Sequence, residues 1–449
     1  MKNLSIPTWG QALLFLFVAG TAQAQSTANT FAASSNHSVS IHPDGSLRAW
    51  GLNLDGQLGD GTTTSRTQPT PVGTPANLRW AQVAAGTAHT LALTADGQLY
   101  AWGSNAKGQL GDGTFAHHHT PIKVALPAEA AATQWAQVAA GTSHTLALTT
   151  DGRLYAWGQN IYGQLGDGTT LTRANMVQVT LPAGAGAISQ IVAGSGHSLA
   201  LTKDGQLYAW GANKLGQLGD GSFTERLRPV AVTRPRHAGA WAQIAAGRAH
   251  TLALTTDGQL YGWGSNEYAQ VAATFLAWRG RPTAIALPAD AKQTRWAQIA
   301  AGDFYSQALT ADGRLYAWGN NTAGQLGDGS TITRLTPVAV ALPQDLPTRS
   351  WARVAAGGFH TLALTADGQL CTWGNNTAGQ LGDGSTTQRT LPAGNSRALL
   401  QPTSRESHSS QLPSAQIDPV LTEMALICEA ALEPLHFDPA KAWANSAKQ

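Results

Sequence analysis

The sequence predicts an all-β fold: a seven-bladed β-propeller of four-stranded antiparallel blades, followed by a short C-terminal helical tail. Three observations carry this. A tryptophan recurs at Trp50, Trp102, Trp157, Trp210, Trp263, Trp318 and Trp373, at steps of 52, 55, 53, 53, 55 and 55 residues. Seven copies at a nearly fixed period mark a repeat architecture. An Asp-Gly pair recurs in every copy, from Asp44-Gly45 and Asp96-Gly97 to Asp367-Gly368, between alternating apolar runs. Finally, glycine supplies 49 of 449 residues and charged side chains only 12%, which suits tight turns between small-residue strands better than helices or disorder.

The second copy, Trp80 to Gly113 and onward, shows the elements in order. Trp80-Ala-Gln-Val-Ala-Ala reads as a strand, Gly86-Thr-Ala as a turn and His89 to Thr94 as a second strand. Asp96-Gly97 then reads as a two-residue type I′ hairpin loop, with positive φ at both positions. Gln98 to Trp102 is the third strand, SNAKGQLGDG a loop, and Pro121-Ile-Lys-Val124 the fourth strand. Such a sheet cannot bury both faces alone, but sheets stacked radially bury each other. Ala84, Ala85 and Ala92 suit crowding near the axis, and the Trp and Leu positions suit the wider space outside.

Three polar features repeat. Asn53, Asn105, Asn160, Asn213, Asn266, Asn321 and Asn376 each follow the Trp strand's terminal glycine by two residues, a position for a turn-capping side chain. Gly-Gln-Leu-Gly-Asp-Gly lacks the carboxylates of a calcium loop and the Lys-Ser/Thr of a phosphate loop, so it reads as a strand connection. His37, His89, His144, His197, His250 and His360 recur, with Tyr305 in the sixth copy. One histidine per blade is too widely spaced to share a zinc ion, so each is expected to bond its own blade's backbone. No metal or cofactor is expected.

The repeats occupy residues 31–396, and the ends differ in character. Lys2, the apolar run Ala12 to Ala19 and Ala22-Gln23-Ala24 read as a signal peptide over residues 1–24, since the run is about half of the ~20 residues a spanning helix needs. Residues 25–30 form a short lead, and secretion to the periplasm, cell surface or medium is the expectation. Residues 397–416 are a polar linker, and 417–449 carry one amphipathic helix with Val420, Leu421, Met424, Ile427, Cys428, Ala431 and Leu432 on a face. Cys371 and Cys428 are too few for a disulfide scaffold and leave a pair or two free thiols open. A net charge of +2 implies no general attraction to nucleic acid, and no membrane span is expected.

If repetition is scaffold, specificity belongs where a copy departs from the pattern. The fifth copy's loop, Ser265 to Arg281, replaces Gly-Gln-Leu-Gly-Asp-Gly and brings in Phe275, Leu276, Trp278, Arg279 and Arg281, residue types enriched in binding hot spots. The sixth copy has Asp303-Phe304-Tyr305 where others have x-x-His. Loops before the second and fourth strands emerge on one face, so Arg248, Phe304, Tyr305 and the Phe275–Arg281 stretch form the candidate partner-binding patch. His117-His118-His119 reads as a solvated loop without a common ion. Arg226, Arg228, Arg234, Arg236 and His237 do not line one nucleic-acid groove.

The stretches Val83 to Leu93 and Val354 to Leu364, of the form V-A-A-G-x-x-H-T-L-A-L, together with the Trp-Gly strand end and the Gly-Gln-Leu-Gly loop, resemble the regulator of chromosome condensation repeat family over all seven copies. The resemblance implies a propeller that binds macromolecules through face loops. It includes a nuclear guanine-nucleotide exchange factor, plant photoreceptors with a Gly-Trp-Arg-His-Thr motif, and a secreted bacterial β-lactamase inhibitor. Here the photoreceptor motif reads Gly86-Thr-Ala-His-Thr, Gly247-Arg-Ala-His-Thr and Gly357-Gly-Phe-His-Thr, without its tryptophan. No catalytic constellation rises above the repeats. The expectation is an exported, monomeric, non-enzymatic propeller with a protein partner; a small-GTPase exchange factor and a carbohydrate-binding or hydrolytic channel site are the alternatives.

Overall fold

The computed structural model describes residues 30–395, apart from 43, 76, 131, 272, 274, 275, 345 and 347–349. Seven four-stranded sheets follow one another around an axis, each antiparallel with its strands in chain order. The second blade comprises Trp80–Ala85, His89–Thr94, Leu99–Gly103 and His118–Val124, from the axis outward. The first blade opens with the shorter Phe31–Ala33 and the seventh ends with Arg389–Gly394. Among the described residues the helical elements are two 3-10 turns, Ala128–Ala130 and Ala289–Ala291. The expected export segment, linker, tail helix and Cys428 lie outside the described residues.

The core sits between blades. Leu91, Leu93, Leu99 and Val124 of the second blade pack against Trp135, Val138, Ala147, Tyr155 and Trp157 of the third, and the other seams repeat this sandwich. All seven repeat tryptophans are fully buried. Each indole Nε1–H donates across a seam to the Gln carbonyl of the preceding blade's loop at 2.8–3.0 Å, from Trp102 to Gln57 through Trp373 to Gln325, with Trp50 to Gln380 closing the circle. A large apolar ring is thereby buried with its one polar atom satisfied. Cys371 lies wholly buried in the seam between the sixth and seventh blades.

The hairpins differ from the type I′ expectation. Gly97 has φ +76°, while Asp96 is not among the positive-φ residues, and Gly97 N–H donates to Thr94 O at 3.0 Å. The same bond closes the other six, for example Gly152 to Thr149. The loop is therefore a three-residue turn with its glycine in the left-handed position. In six of the seven hairpins a threonine hydroxyl reinforces this closure, as Thr94 Oγ1 accepts from Gln98 N–H at 2.9 Å; in the first, His42 holds that place and the backbone bonds alone close the same turn.

The histidines also depart from expectation: they bond the next blade. His37 Nε2 lies 2.9 Å from Thr90 Oγ1, His144 Nε2 2.9 Å from Ser198 Oγ, and His360 Nε2 2.9 Å from Ser38 Oγ; His89, His197 and His250 repeat this at 3.1–3.2 Å. Each of these hydroxyls donates its single proton to the same Gln carbonyl that takes the tryptophan bond. The hydroxyl must therefore accept from the imidazole, which assigns the proton to Nε2. Burial holds the rings neutral, with pKa lowered to about 3 at His37, His144, His250 and His360 and to about 4 at His89 and His197.

The asparagines act as expected. Asn53 Oδ1 accepts from Leu58 N–H, and its Nδ2 donates to Asp60 Oδ1 and the carbonyls of Thr62 and Thr64. One side chain thus folds the whole third-to-outermost loop. Asp60 in turn pairs with Arg66 at the start of the outermost strand, 2.7 Å away.

Candidate interaction face

Antiparallel order puts the innermost-to-second turns and the third-to-outermost loops at one end of the propeller and the hairpin turns at the other. All eleven exposed large apolar side chains among the described residues, from Leu54 in the first blade to Leu391 in the seventh, lie in those loops or in the outermost strand that follows. The hairpin end has none among the described residues. This one-sided distribution makes the loop end the candidate interaction face.

The fifth, sixth and seventh blades add an aromatic cluster on this face. Arg248 projects from the fifth blade's inner turn, and its guanidinium carbon lies 5.4 Å from the centre of the Phe304 ring. Tyr268, from the fifth blade's long loop, meets Phe304 edge-on at 5.5 Å, and Phe359 approaches it from the seventh at 5.9 Å. A cation over an aromatic face contributes roughly 0.5–1 kcal/mol at an exposed site. Asp303 sits beside them, where burial raises its carboxyl pKa and Arg248 opposes the shift.

Arg248 and Asp303 also reach the mouth of the central channel, which Ser35, Thr87, Thr142 and Ser195 line from the other blades. The wider part of the channel, about 620 Å³, is lined by alanines, Gln82, Gln137, Gln190, Gln243, Gln298 and Arg353. These glutamines clasp neighbouring blades: Gln82 takes Val138 N–H and gives to Val138 O, both at 3.2 Å. Asp303 is the sole carboxylate among the described lining residues.

The structure brings some of the sequence-derived candidates together and reassigns others. Arg248 and Phe304 meet; Leu276 and Trp278 are 59% and 50% exposed; Phe275 lies outside the described residues. Trp278 begins the outermost strand Trp278–Ile285 and is not in a loop. Arg279 pairs in register with Gly264, as Arg226 does with Gly211 and Arg66 with Gly51, so it is part of the repeat and no addition. Arg281 packs over Gly221 of the fourth blade as Arg228 packs over Gly168 of the third. Tyr305 is fully buried, its hydroxyl donating to His360 O at 2.6 Å, so it closes a seam and offers nothing to a partner.

The fifth loop itself keeps the repeat's length and much of its wiring. Gln270 O accepts from Trp318 and Ser306, and Val271 N–H donates to Asn266 Oδ1. Ala269 occupies a glycine position at φ +61°, a conformation that costs an alanine roughly 1–2 kcal/mol. His118 and His119 belong to the strand His118–Val124, not to a loop. The three histidines diverge: His117 meets Asp55, His118 meets Asp112, and His119 packs over Gly56. Tyr268, Phe359 and Asp303 were missing from the sequence-derived patch, although Tyr268 falls within the departing loop.

The family model for the RCC1-like domain matches residues 18–346, and models of the regulator of chromosome condensation (RCC1) repeat match 351–380 and 367–404. The chain belongs to the RCC1 family. It is similar to the ultraviolet-B receptor UVR8 of Arabidopsis thaliana, 34% identical over 391 residues, covering 86% of this chain and 85% of that protein. It is also similar to the human E3 ubiquitin-protein ligase HERC2, 30% identical over 84% of this chain but only 8% of that protein. Among solved structures, human WBSCR16 superposes with TM-score 0.70 at 25% identity, covering 78% of this chain and 94% of that one. Prp20p of Saccharomyces cerevisiae superposes with TM-score 0.67 at 26% identity, covering 78% and 85%.

Proposed function

We propose that this RCC1-family propeller is a non-enzymatic binding protein that acts outside the cytoplasm and holds a protein partner on its loop face. The observation that carries the reading is the one-sided distribution of exposed apolar side chains, with the Arg248–Phe304–Tyr268 cluster and Trp278 on adjacent blades. Aromatic and arginine side chains are the types that dominate protein hot spots. Prp20p, whose structure was reported with its binding properties to Gsp1p and histones, supports protein binding as a use of this scaffold. Lys2, the apolar run and Ala22-Gln23-Ala24 support export. The channel's amide and alanine lining favours structural closure over carboxylate chemistry.

The test is affinity capture from the exported fraction with three immobilised chains: the native one, Trp278→Ala with Phe304→Ala, and a hairpin-face control, Arg153→Ala with Arg314→Ala. A protein held by the native and control chains and lost by the loop-face variant is the expected result. Undiminished capture by the loop-face variant, or loss only with the control, would sink the reading.

A further inference from the structure

The mouth of the central channel is built from one repeat position, the second residue after each innermost strand. In four blades that residue is a hydroxyl: Ser35, Thr87, Thr142 and Ser195. Thr142 Oγ1 donates to Ser195 Oγ at 2.8 Å, and every one of these oxygens keeps a lone pair to offer. An alanine from each blade, from Ala33 to Ala356, lines both the mouth and the wider channel, so a collar of methyl groups stands where the two meet. The mouth holds about 90 Å³, well below the roughly 300 Å³ at which pockets for free small molecules begin. It has room for the end of one side chain.

The other three blades break the hydroxyl pattern with Arg248, Asp303 and Gly358. Asp303 carries the one carboxylate among the described lining residues. No hydrogen bond or ion pair reaches that carboxylate from the described residues, and Arg248, the nearest opposite charge, stacks on the Phe304 ring without pairing to it. The repeat aspartates differ: at Asp60, against burial, hydrogen bonds from Thr62 and Arg66 hold the carboxyl below its usual range. At Asp303 burial wins and raises the pKa, with Arg248 opposing. Gly358 keeps the approach open, since a Cβ there would lie 3.1 Å from Asp303 Oδ2.

We propose that the mouth is a socket for a lysine side chain of the protein partner, its ammonium group received by the Asp303 carboxylate and the hydroxyls beside it. The proposal rests on the reading of the loop end as a partner-binding face and names the chemistry of one contact. A largely buried carboxylate without a partner needs positive charge more than any other group at the mouth. An ammonium is compact and carries three rotatable donors, which suits one carboxylate in a ring of hydroxyl acceptors better than a planar guanidinium would. Phe304 and Phe359, 5.9 Å apart beside the opening, give the methylene stem an apolar wall.

The test uses n-butylammonium, the end of a lysine side chain, titrated into the intact chain and followed by the amide resonances of Gly302, Asp303 and Gly358. Sodium n-butyrate and n-butanol serve as the anionic and uncharged comparisons. Saturable binding of n-butylammonium is expected, weakened by about tenfold or more in Asp303→Asn. Asp303→Ser, which gives the position the hydroxyl of four other blades, should lose the same amount while both variants keep the native thermal midpoint or exceed it. Absence of saturable n-butylammonium binding, or equal binding of n-butanol, overturns the proposal. Binding of n-butyrate that exceeds that of n-butylammonium and vanishes with Arg248→Gln would put an acidic group there and overturns it equally. The probe is independent of any captured partner, so such a failure removes the lysine socket alone and leaves the loop-face capture to decide the wider reading.

Discussion

His360 Nε2 and Ser38 Oγ stand 2.9 Å apart although 322 positions separate them in the chain. Their bond joins the last blade to the first, and Ser38 passes its own proton to Gln380 O at 3.0 Å. Ser38→Ala removes the acceptor from a buried imidazole N–H and one donor from a buried carbonyl. The expected loss is about 1–3 kcal/mol of unfolding free energy, read from urea denaturation at neutral pH. A loss inside measurement error would show that this bond does not help to close the ring.

The same histidines make stability depend on pH in a predictable direction. Their folded pKa values lie at about 3–4 because burial disfavours the charged ring, below the ordinary histidine value of 6.5 that holds in the unfolded chain. Above 6.5 both states are neutral and pH has no effect through these groups. As pH falls from 6.5 towards 4, only the unfolded chain takes up protons, and each histidine lowers stability by about 1.4 kcal/mol per pH unit. Denaturation midpoints should fall steeply between pH 6.5 and 4, and His250→Asn should flatten that slope by about one proton. A flat profile across this window would contradict the neutral, buried assignment.

Two glycines separate packing from backbone conformation. A Cβ on Gly141 would meet the His144 ring and lie 2.6 Å from Gly194 O, whereas one on Gly152, at φ +87°, meets nothing within 4 Å. Gly141→Ala should therefore destabilise by about 2–3 kcal/mol through overpacking beside the seam. Gly152→Ala should lose about 1–2 kcal/mol through left-handed strain alone. Thermal unfolding of both variants checks the order, and a reversed order would refute the contact argument.

The frame was legible because its signals are local and repeated: the Trp period, the Asp-Gly hairpins and the Asn caps each act within one copy. What crosses a seam was less legible. The direction of the His89 ring depends on a hydroxyl in the next copy, Thr145, and no period within one repeat reports it. Arg279 was misread for a different reason, since the loop before it had changed while its own place, thirteen residues after Asn266, matched Arg66 after Asn53 and Arg226 after Asn213. Register, once counted, separates a residue of the frame from a residue of the patch. Trp278 lies outside that pattern, at the position of Glu225 in the fourth copy, and keeps its claim as a contact residue.

The sixth copy shows two departures that belong together. Tyr305 replaces the ring histidine, and Gln307 replaces the leucine two residues on. Thr361 Oγ1, which gives its proton to Gln325 O, receives Gln307 Nε2 at 2.9 Å and lies 3.1 Å from the Tyr305 hydroxyl. Gln307 thus supplies the donor that a histidine supplies at the other seams. Tyr305→His alone crowds two donors onto one hydroxyl and leaves a cavity beside His360, while Gln307→Leu alone removes the amide donor. Together they restore the His-x-Leu pattern of the neighbouring copies. The double variant should be more stable than the sum of the single effects by about 0.5–3 kcal/mol in a double-mutant cycle. Additive single effects would mean that the two substitutions are independent and that the seam does not depend on a donor to Thr361.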